Sequence, residues 1–430
     1  MTSGKSTLVT NATALMVATV GTSVIGLLFW AFATRLYDPA DVGLGTAQIS
    51  AASLVATFGQ LSLGSVFNRY LPNAGKYSQW IVRRVFAVVT GFSVLLAVIL
   101  LALGFGESYL PNLTSKLIFV VAVPILALFV VQDAALLGLG AATIVPIENV
   151  LFSIAKVILL PVMAVAAASV GIFASWVIPA AVAVAAVAYY IQRKHLSDPT
   201  LATHGTALPP RSQLWPLLGK QYIGNVVGTV VFLSVPLIII NQLGADASGY
   251  LSIPWMISGA FSSLIGNITQ SFSYDVRSGR AVSKATARRL FLLLGVVVGV
   301  GGLACAALAP IVLDILAPGY AGQSTTLLRL VALAAPLQGV FILLVTFWWL
   351  EGKFELFAIV QTVNAAMTLA LTWYLAPTLG VNAAGIALLG PSLLFALGSI
   401  WPLARRLRMV RRGDGHLWTP EHADTPTDAE

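Results

Sequence analysis

Apolar runs of about 20 residues recur along the whole chain, parted by short polar stretches. A run of that length is what a helix needs to cross the hydrocarbon core of a bilayer. The pattern predicts spans near 11–34, 44–65, 85–105, 117–139, 146–168, 172–191, 221–241, 250–271, 290–310, 326–350, 355–375 and 383–404. Helices are the expected form, because each backbone polar group is then satisfied within its own segment. The alternating pattern of a membrane β-barrel is absent from the sequence. The first run, Asn11 to Ala33, is too long for a signal segment and no small-residue cleavage site follows it, so it reads as a span.

Composition supports the same picture. Of the 430 residues, 58% are hydrophobic and 9% are charged, with a mean hydropathy of +0.90. Soluble domains carry about 25% charged residues. A net charge of +8 would raise nucleic acid as a partner in a soluble protein. Here the cations lie in short loops, where they set topology. With the N-terminus placed in the cytoplasm, twenty Lys and Arg fall on that side. Three (Arg35, Lys116 and Arg329) fall outside, and Lys156 lies within a span. That bias predicts twelve spans with both termini cytoplasmic, and no nucleic-acid partner. The lone cysteine, Cys305, excludes a disulfide within the chain. The histidines (His195, His204, His416 and His422) all lie in polar stretches, so no metal site or imidazole proton relay is expected.

The chain also repeats itself. Val20-Gly21-Thr22 to Arg35-Leu36 resembles Val227-Gly228-Thr229 to Gln242-Leu243 at an offset of 207. A short acidic loop follows each segment, Asp38-Pro39-Ala40-Asp41-Val42-Gly43 and Ala245-Asp246-Ala247-Ser248-Gly249. Arg83-Arg84-Val85-Phe86 matches Arg288-Arg289-Leu290-Phe291 at 205. Six spans per half is an even number, which makes the repeat parallel, about an axis along the membrane normal. The expected organisation is a six-helix bundle over 1–192, a cytoplasmic connector over 193–220, a second bundle over 221–405, and a basic anchor with a disordered tail over 406–430. The basic stretch Arg405 to Arg412 also suits anionic membrane lipid.

Polar residues inside spans are the candidates for chemistry. Thr46, Ser50, Ser53, Thr57 and Gln60 form one stripe of the second helix at spacings of three and four. Ser252, Gly259, Ser263, Asn267 and Gln270 form a looser stripe on the eighth. Such stripes serve either close helix packing or the lining of a cavity. The ionisable residues within spans are Asp133, Glu148 and Lys156. At 1.5 Å per residue, Asp133 lies about 9 Å and Lys156 about 15 Å from the cytoplasmic ends of their helices, a gap a lysine side chain closes. The set is either a static ion pair or a titratable, substrate-contacting group. Arg69 closes the second helix at the cytoplasmic face, either as a topology anchor or as a phosphate ligand.

Gly4-Lys5-Ser6 lacks the glycine and the strand of a phosphate-binding loop, so no nucleotide site, and no cofactor, is expected. A glycan-processing enzyme would need Asp38 or Asp41 in a pocket, but Asp41 reads as the N-cap of the second helix and Pro39 as a turn. No clustered catalytic set is present in the sequence. The longest external loop is expected from about Ala309 to Thr325.

Two segments carry a family resemblance. One runs Arg35-Leu36-Tyr37-Asp38-Pro39-Ala40-Asp41-Val42-Gly43-Leu44 into a Ser/Ala-rich helix and Leu63-Gly64-Ser65-Val66-Phe67-Asn68-Arg69-Tyr70-Leu71-Pro72. The other is Leu316-Ala317-Pro318-Gly319-Tyr320. Both resemble the Wzx-like oligosaccharide flippases, of the superfamily that also holds the MATE multidrug exporters and the lipid II flippases. The resemblance implies an all-α membrane fold with about 12 transmembrane helices in two parallel pseudo-twofold six-helix bundles around a central cavity. It implies a bacterial inner-membrane transporter that moves an undecaprenyl-pyrophosphate-linked oligosaccharide to the outer leaflet, with other polysaccharide assembly proteins as further partners. Arg69, Lys156 and Lys220 would then meet phosphate. Ser50, Ser53, Thr57, Gln60, Ser263, Asn267 and Gln270 would meet sugars, and Asp133 or Glu148 would couple ions. A MATE-type organic-cation antiporter is the rival reading.

Overall fold

The computed structural model describes residues 21–195, 211–277, 292–351 and 353–412. Among these residues every regular element is helical. The order is α1 (Gly21–Leu36), α2 (Pro39–Gly59), α3 (Gly64–Tyr70), α4 (Ser78–Ala102), α5 (Leu113–Gly138), α6 (Ile144–Ala166), α7 (Ala168–Tyr190) and α8 (Arg211–Leu243). There follow α9 (Ala245–Arg277), α10 (Leu294–Ala307), α11 (Ala309–Leu316), α12 (Ala321–Leu350), α13 (Phe354–Leu379) and α14 (Asn382–Arg412). Among the described residues ten helices are long and apolar enough to cross a membrane, eleven if the bent pair α10–α11 counts as one span. The chain is a multi-pass membrane protein. Large apolar side chains such as Leu103, Val165 and Trp401 stand exposed, which suits lipid as the solvent there.

The structure departs from the predicted spans at several places; α8, for one, starts at Arg211, ten residues before the predicted 221 and inside the expected connector. The second span ends at Gly59 rather than near 65, because Leu61 and Ser62 adopt left-handed backbone with φ of 50° and 51°. Two consecutive non-glycine residues there carry strain and turn the chain, so Gly64–Tyr70 forms a separate short helix that packs on α5. The ninth span bends by 80° after Ala307, and the expected external loop from Ala309 begins as helix α11. The second helix starts at Pro39, so Asp38 is its N-cap and Asp41 sits in the first turn. Proline at the first helical position loses no hydrogen bond, which favours that earlier start.

The chain divides into two compact units, 1–253 with 316–318, and 254–315 with 319–430. In the first, α2 packs on α5, α7 and α8, and α6 packs on α7. Phe29, Phe119, Leu136, Phe173 and Tyr109 are fully buried there. In the second, α12 packs on α14 and α10, around Ile265, Leu294, Val298, Leu344 and Phe347. Gly385 lets α14 approach Leu330, and Gly302 lets α10 approach the Ala332 carbonyl. Small residues at such crossings gain dispersion that lipid does not offer.

The repeat is visible in one contact within the first unit. A Cβ on Gly43 would overlap the Ala245 carbonyl oxygen and stand 2.8 Å from Gly249 N. A Cβ on Gly249 would overlap the Pro39 carbonyl oxygen. Pro39 and Ala245, like Gly43 and Gly249, are separated by the repeat offset of 206. Each half therefore offers the other the same surface, as a two-fold contact requires. The Ser248 hydroxyl donates to the Gly43 carbonyl at 3.3 Å and closes this glycine clasp.

The neighbourhood of the clasp is tied by side chains. The Tyr37 hydroxyl donates to Leu160 O at 3.0 Å, and Thr34 donates to Leu316 O at 3.1 Å. Burial, reinforced by the nearby Asp41, pushes the Tyr37 phenol up to about 12, so it remains a donor at neutral pH. Gln48 Nε2 donates to Tyr109 O at 2.8 Å, which fixes the α4–α5 loop on α2.

Candidate functional site

Helices α5 and α6 form an antiparallel hairpin whose turn carries Gly140 at φ +76°. A glycine accepts that backbone at little cost. Residues equidistant from the turn then face each other. Gln132 and Glu148 each stand eight residues from Gly140, and Asp133 and Asn149 eight from Ala141. Both pairs are bonded: Gln132 Nε2 donates to Glu148 Oε1, and Asn149 Nδ2 donates to Asp133 Oδ2 at 3.4 Å. Asn149 also donates to Val145 O at 2.9 Å. The result is a ladder of two rungs, each joining one amide to one carboxyl across the hairpin.

The first rung is buried, the second partly exposed, and the ladder is incompletely satisfied. Gln132 is 0% exposed and Glu148 6%. Gln132 Oε1, Glu148 Oε2 and Asp133 Oδ1 are buried without a hydrogen-bond partner. Buried oxygens rarely stay unpaired in native structures.

Lys156 has a different environment. It is 4% exposed, and its ammonium lies 3.9 Å from the centroid of Trp176, 5.1 Å from Phe152 and 5.5 Å from Phe29. These rings come from α7, α6 and α1. Phe29 and Phe152 each meet Trp176 edge-on, at 5.5 Å and 6.0 Å. The negative faces of the rings replace water around the charge. Asp133 and Lys156 are not paired, because hairpin register places Lys156 more than one turn beyond the residue facing Asp133. Its side chain turns to α1 and α7 instead. Among the alternatives open in the sequence, the static Asp133–Lys156 pair is not formed.

Other candidates are dispersed. Arg69 is exposed on α3, with its guanidinium 5.8 Å from the Tyr70 ring. Lys220 lies in α8 and outside the residues whose side chains are described. Along α2, Ser50 is buried, whereas Ser53, Thr57 and Gln60 are partly exposed. Thr46 and Thr57 donate back to Val42 O and Ser53 O, so those hydroxyls are spent within their own helix. On α9, Ser263 and Gln270 are exposed and Asn267 is half-buried. The two stripes fall in different units. Asp38 is exposed and its side chain makes no capping bond, and Asp41 is partly buried.

Sequence reasoning missed Gln132 and Asn149, and the three aromatic rings. The signal for the amides was the hairpin register, once the α5–α6 loop is taken as short. Phe152 lies four residues before Lys156 on the same helix, but Phe29 and Trp176 had no local signal, because they lie on other helices.

No family model matches this sequence, and no curated protein matches it. Solved structures do. A multidrug resistance MATE family transporter of the MOP superfamily, in an inward-facing conformation, is 15% identical with a TM-score of 0.64, over 91% of this chain and 96% of that one. The lipid II flippase MurJ, in an inward closed conformation, is 11% identical with a TM-score of 0.64, over 94% and 91%. A MOP superfamily transporter from Pyrococcus furiosus, described as having a binding pocket of reverse polarity, is 15% identical with a TM-score of 0.59, over 93% and 95%. At these identities the likeness is one of fold, and it spans nearly the whole of each chain. The protein has the all-helical fold of the MOP transporters.

Proposed function

We propose that the protein is a transporter that flips a lipid-linked oligosaccharide from the cytoplasmic to the outer leaflet of the bacterial inner membrane, by alternating access. The observation that carries this reading is Lys156. Its ammonium is buried on aromatic faces, with no carboxylate among the described residues in ion-pair range. A charge held without a counter-ion is costly in a membrane, and such residues mark substrate or ion pathways. A pyrophosphate is the kind of group that would draw this ammonium off its rings, because phosphate oxygens give it hydrogen bonds that ring faces do not. Arg69, exposed on α3, would be the first cation to meet the phosphates at the cytoplasmic side. Ser50, Ser53, Thr57 and Gln60 would meet the sugars from one half, and Ser263, Asn267 and Gln270 from the other. Lys220 would add a further cation.

The fold supports the class, and one neighbour of this fold is a lipid II flippase. The Lys and Arg bias of the loops supports cytoplasmic termini and the division into bundles over 1–192 and 221–405. The buried acids Asp133 and Glu148 favour a second reading, a cation antiporter of the multidrug type, since one neighbour is a multidrug transporter.

The test is flipping of a fluorescent undecaprenyl-pyrophosphate oligosaccharide in proteoliposomes, beside surface polysaccharide in cells. Arg69→Ala and Lys156→Ala should each lower both at normal protein levels. Unchanged flipping in both variants would sink the phosphate assignment. Export of organic cations without flipping would establish the antiporter instead.

A further inference from the structure

Two of the three unpaired oxygens of the α5–α6 ladder, those of the first rung, follow a pattern. In the first rung Gln132 Nε2 donates to Glu148 Oε1, which leaves Gln132 Oε1 and Glu148 Oε2 without partners. Those are the two atoms that a carboxylic acid and an amide use for their second hydrogen bond. A protonated carboxyl is one donor as well as an acceptor, and an amide is both. One proton on Glu148 Oε2 therefore satisfies both orphaned atoms at once, by donation to Gln132 Oε1. A metal ion fits less well: among the described residues no group of three or more His, Cys, Asp or Glu side chains is placed to hold one.

The electrostatic surroundings agree. On α5 the charged groups are Asp133, beside the rung, and Lys116 near the other end of that helix. On α7, which packs on α6, the titratable side chains are Tyr189 and Tyr190 at the far end from Trp176. On α6 itself, Lys156 lies two turns along and is held by its rings. Arg69 on α3, and Arg83 and Arg84 on α4, belong to helices that pack on α5, and all three are exposed. No ion pair joins any of these cations to Glu148. A second negative charge beside Asp133, buried and unpaired, is the costly alternative.

We propose that Glu148 and Gln132 form a proton-binding site, occupied in this structure, in which the protonated carboxyl and the amide close a cyclic pair. On release, the Glu148 Oε2–H bond breaks, its electron pair stays on the carboxylate, and the proton passes to water. Gln132 Oε1 then has no donor, and the two helices lose one of the bonds that hold the rung shut. The site gives the proposed transporter its coupling ion and rests on that reading for its use, but its chemistry stands on the hairpin alone.

The test is infrared difference spectroscopy of the full-length protein in nanodiscs, without substrate, between acidic and alkaline buffer. The wild type should show a protonated-carboxyl C=O band near neutral pH that Glu148→Gln removes and Asp133→Asn leaves. Gln132→Leu should shift that band, since its hydrogen bonds are gone. Selective 13C labelling of glutamate must move it in the wild type, which keeps the assignment testable should Glu148→Gln not fold. Loss of the band in Asp133→Asn rather than Glu148→Gln would overturn the site. So would a sodium-dependent rise in melting temperature that Glu148→Gln abolishes, which would mean a metal ion in place of the proton. Because no substrate is present, failure here removes the proton and leaves flipping to be judged by the liposome assay.

Discussion

Glu148 and Lys156 lie on the same helix two turns apart, with Phe152 between them on the same stripe, and the protein treats them in opposite ways. Glu148 is held by an amide, atom to atom, across the hairpin. Lys156 is held by ring faces, which are directional only in a broad sense. The acid and the amine share one helix face, yet each is held by its own partners and no ion pair joins them. An ion pair would have fixed both side chains. Held separately, each can change partner without unfastening the other.

The largest expected effect lies at Lys156. Trp176→Leu should destabilise by about 3 kcal/mol, through lost ring volume and the lost cation–π share. Lys156→Met alone should be close to neutral, since a buried charge gives way to an apolar chain. In the double variant the damage should be smaller than in Trp176→Leu, as read by unfolding in detergent. Strict additivity would show that the ring does not hold the ammonium, and the contrast would fall.

At Glu148 the ordering should reverse. Gln132→Leu leaves buried carboxyl atoms without partners and should cost about 1–3 kcal/mol. Glu148→Gln, which keeps both bonds of the ring, should cost less than about 1 kcal/mol. If removing the acid cost more than removing its amide, the carboxyl would be serving as an ion rather than as one half of a ring. Asp133→Asn probes the looser rung, 3.4 Å long and partly exposed, and should fall within about 0.5 kcal/mol. Arg69→Ala should leave stability within the same margin while lowering flipping, because the side chain is exposed.

The helical, multi-pass fold was legible in the length of the apolar runs, since lipid permits few other solutions. The repeat was legible too, and the Gly43–Gly249 contact is its structural counterpart. What escaped was local backbone and long-range packing. The break after Gly59 lies in a sequence, Gln60-Leu61-Ser62-Leu63, with no proline and no glycine to announce it. The expected cap of α2, Asp41, lies three residues beyond the observed one, Asp38, because Pro39 already stands at the first helical position. The three ionisable residues were identified, but their partners were not. Polar partners follow from hairpin register, and the aromatic ones from how α1 and α7 pack on α6, which no single window of sequence contains.

The glycine clasp carries a consequence for experiments that need the molecule held in one shape. Each glycine is pressed against main chain from the opposite repeat, so one added methyl group has no side chain to push aside. Alanine at Gly43 or at Gly249 would act as a wedge between α2 and α9, and the two wedges should be interchangeable because the contact is two-fold. A matched pair of single-atom wedges, whose contacts include neither Lys156 nor the acid–amide ladder, offers a way to capture a second arrangement of the protein without altering its candidate chemistry.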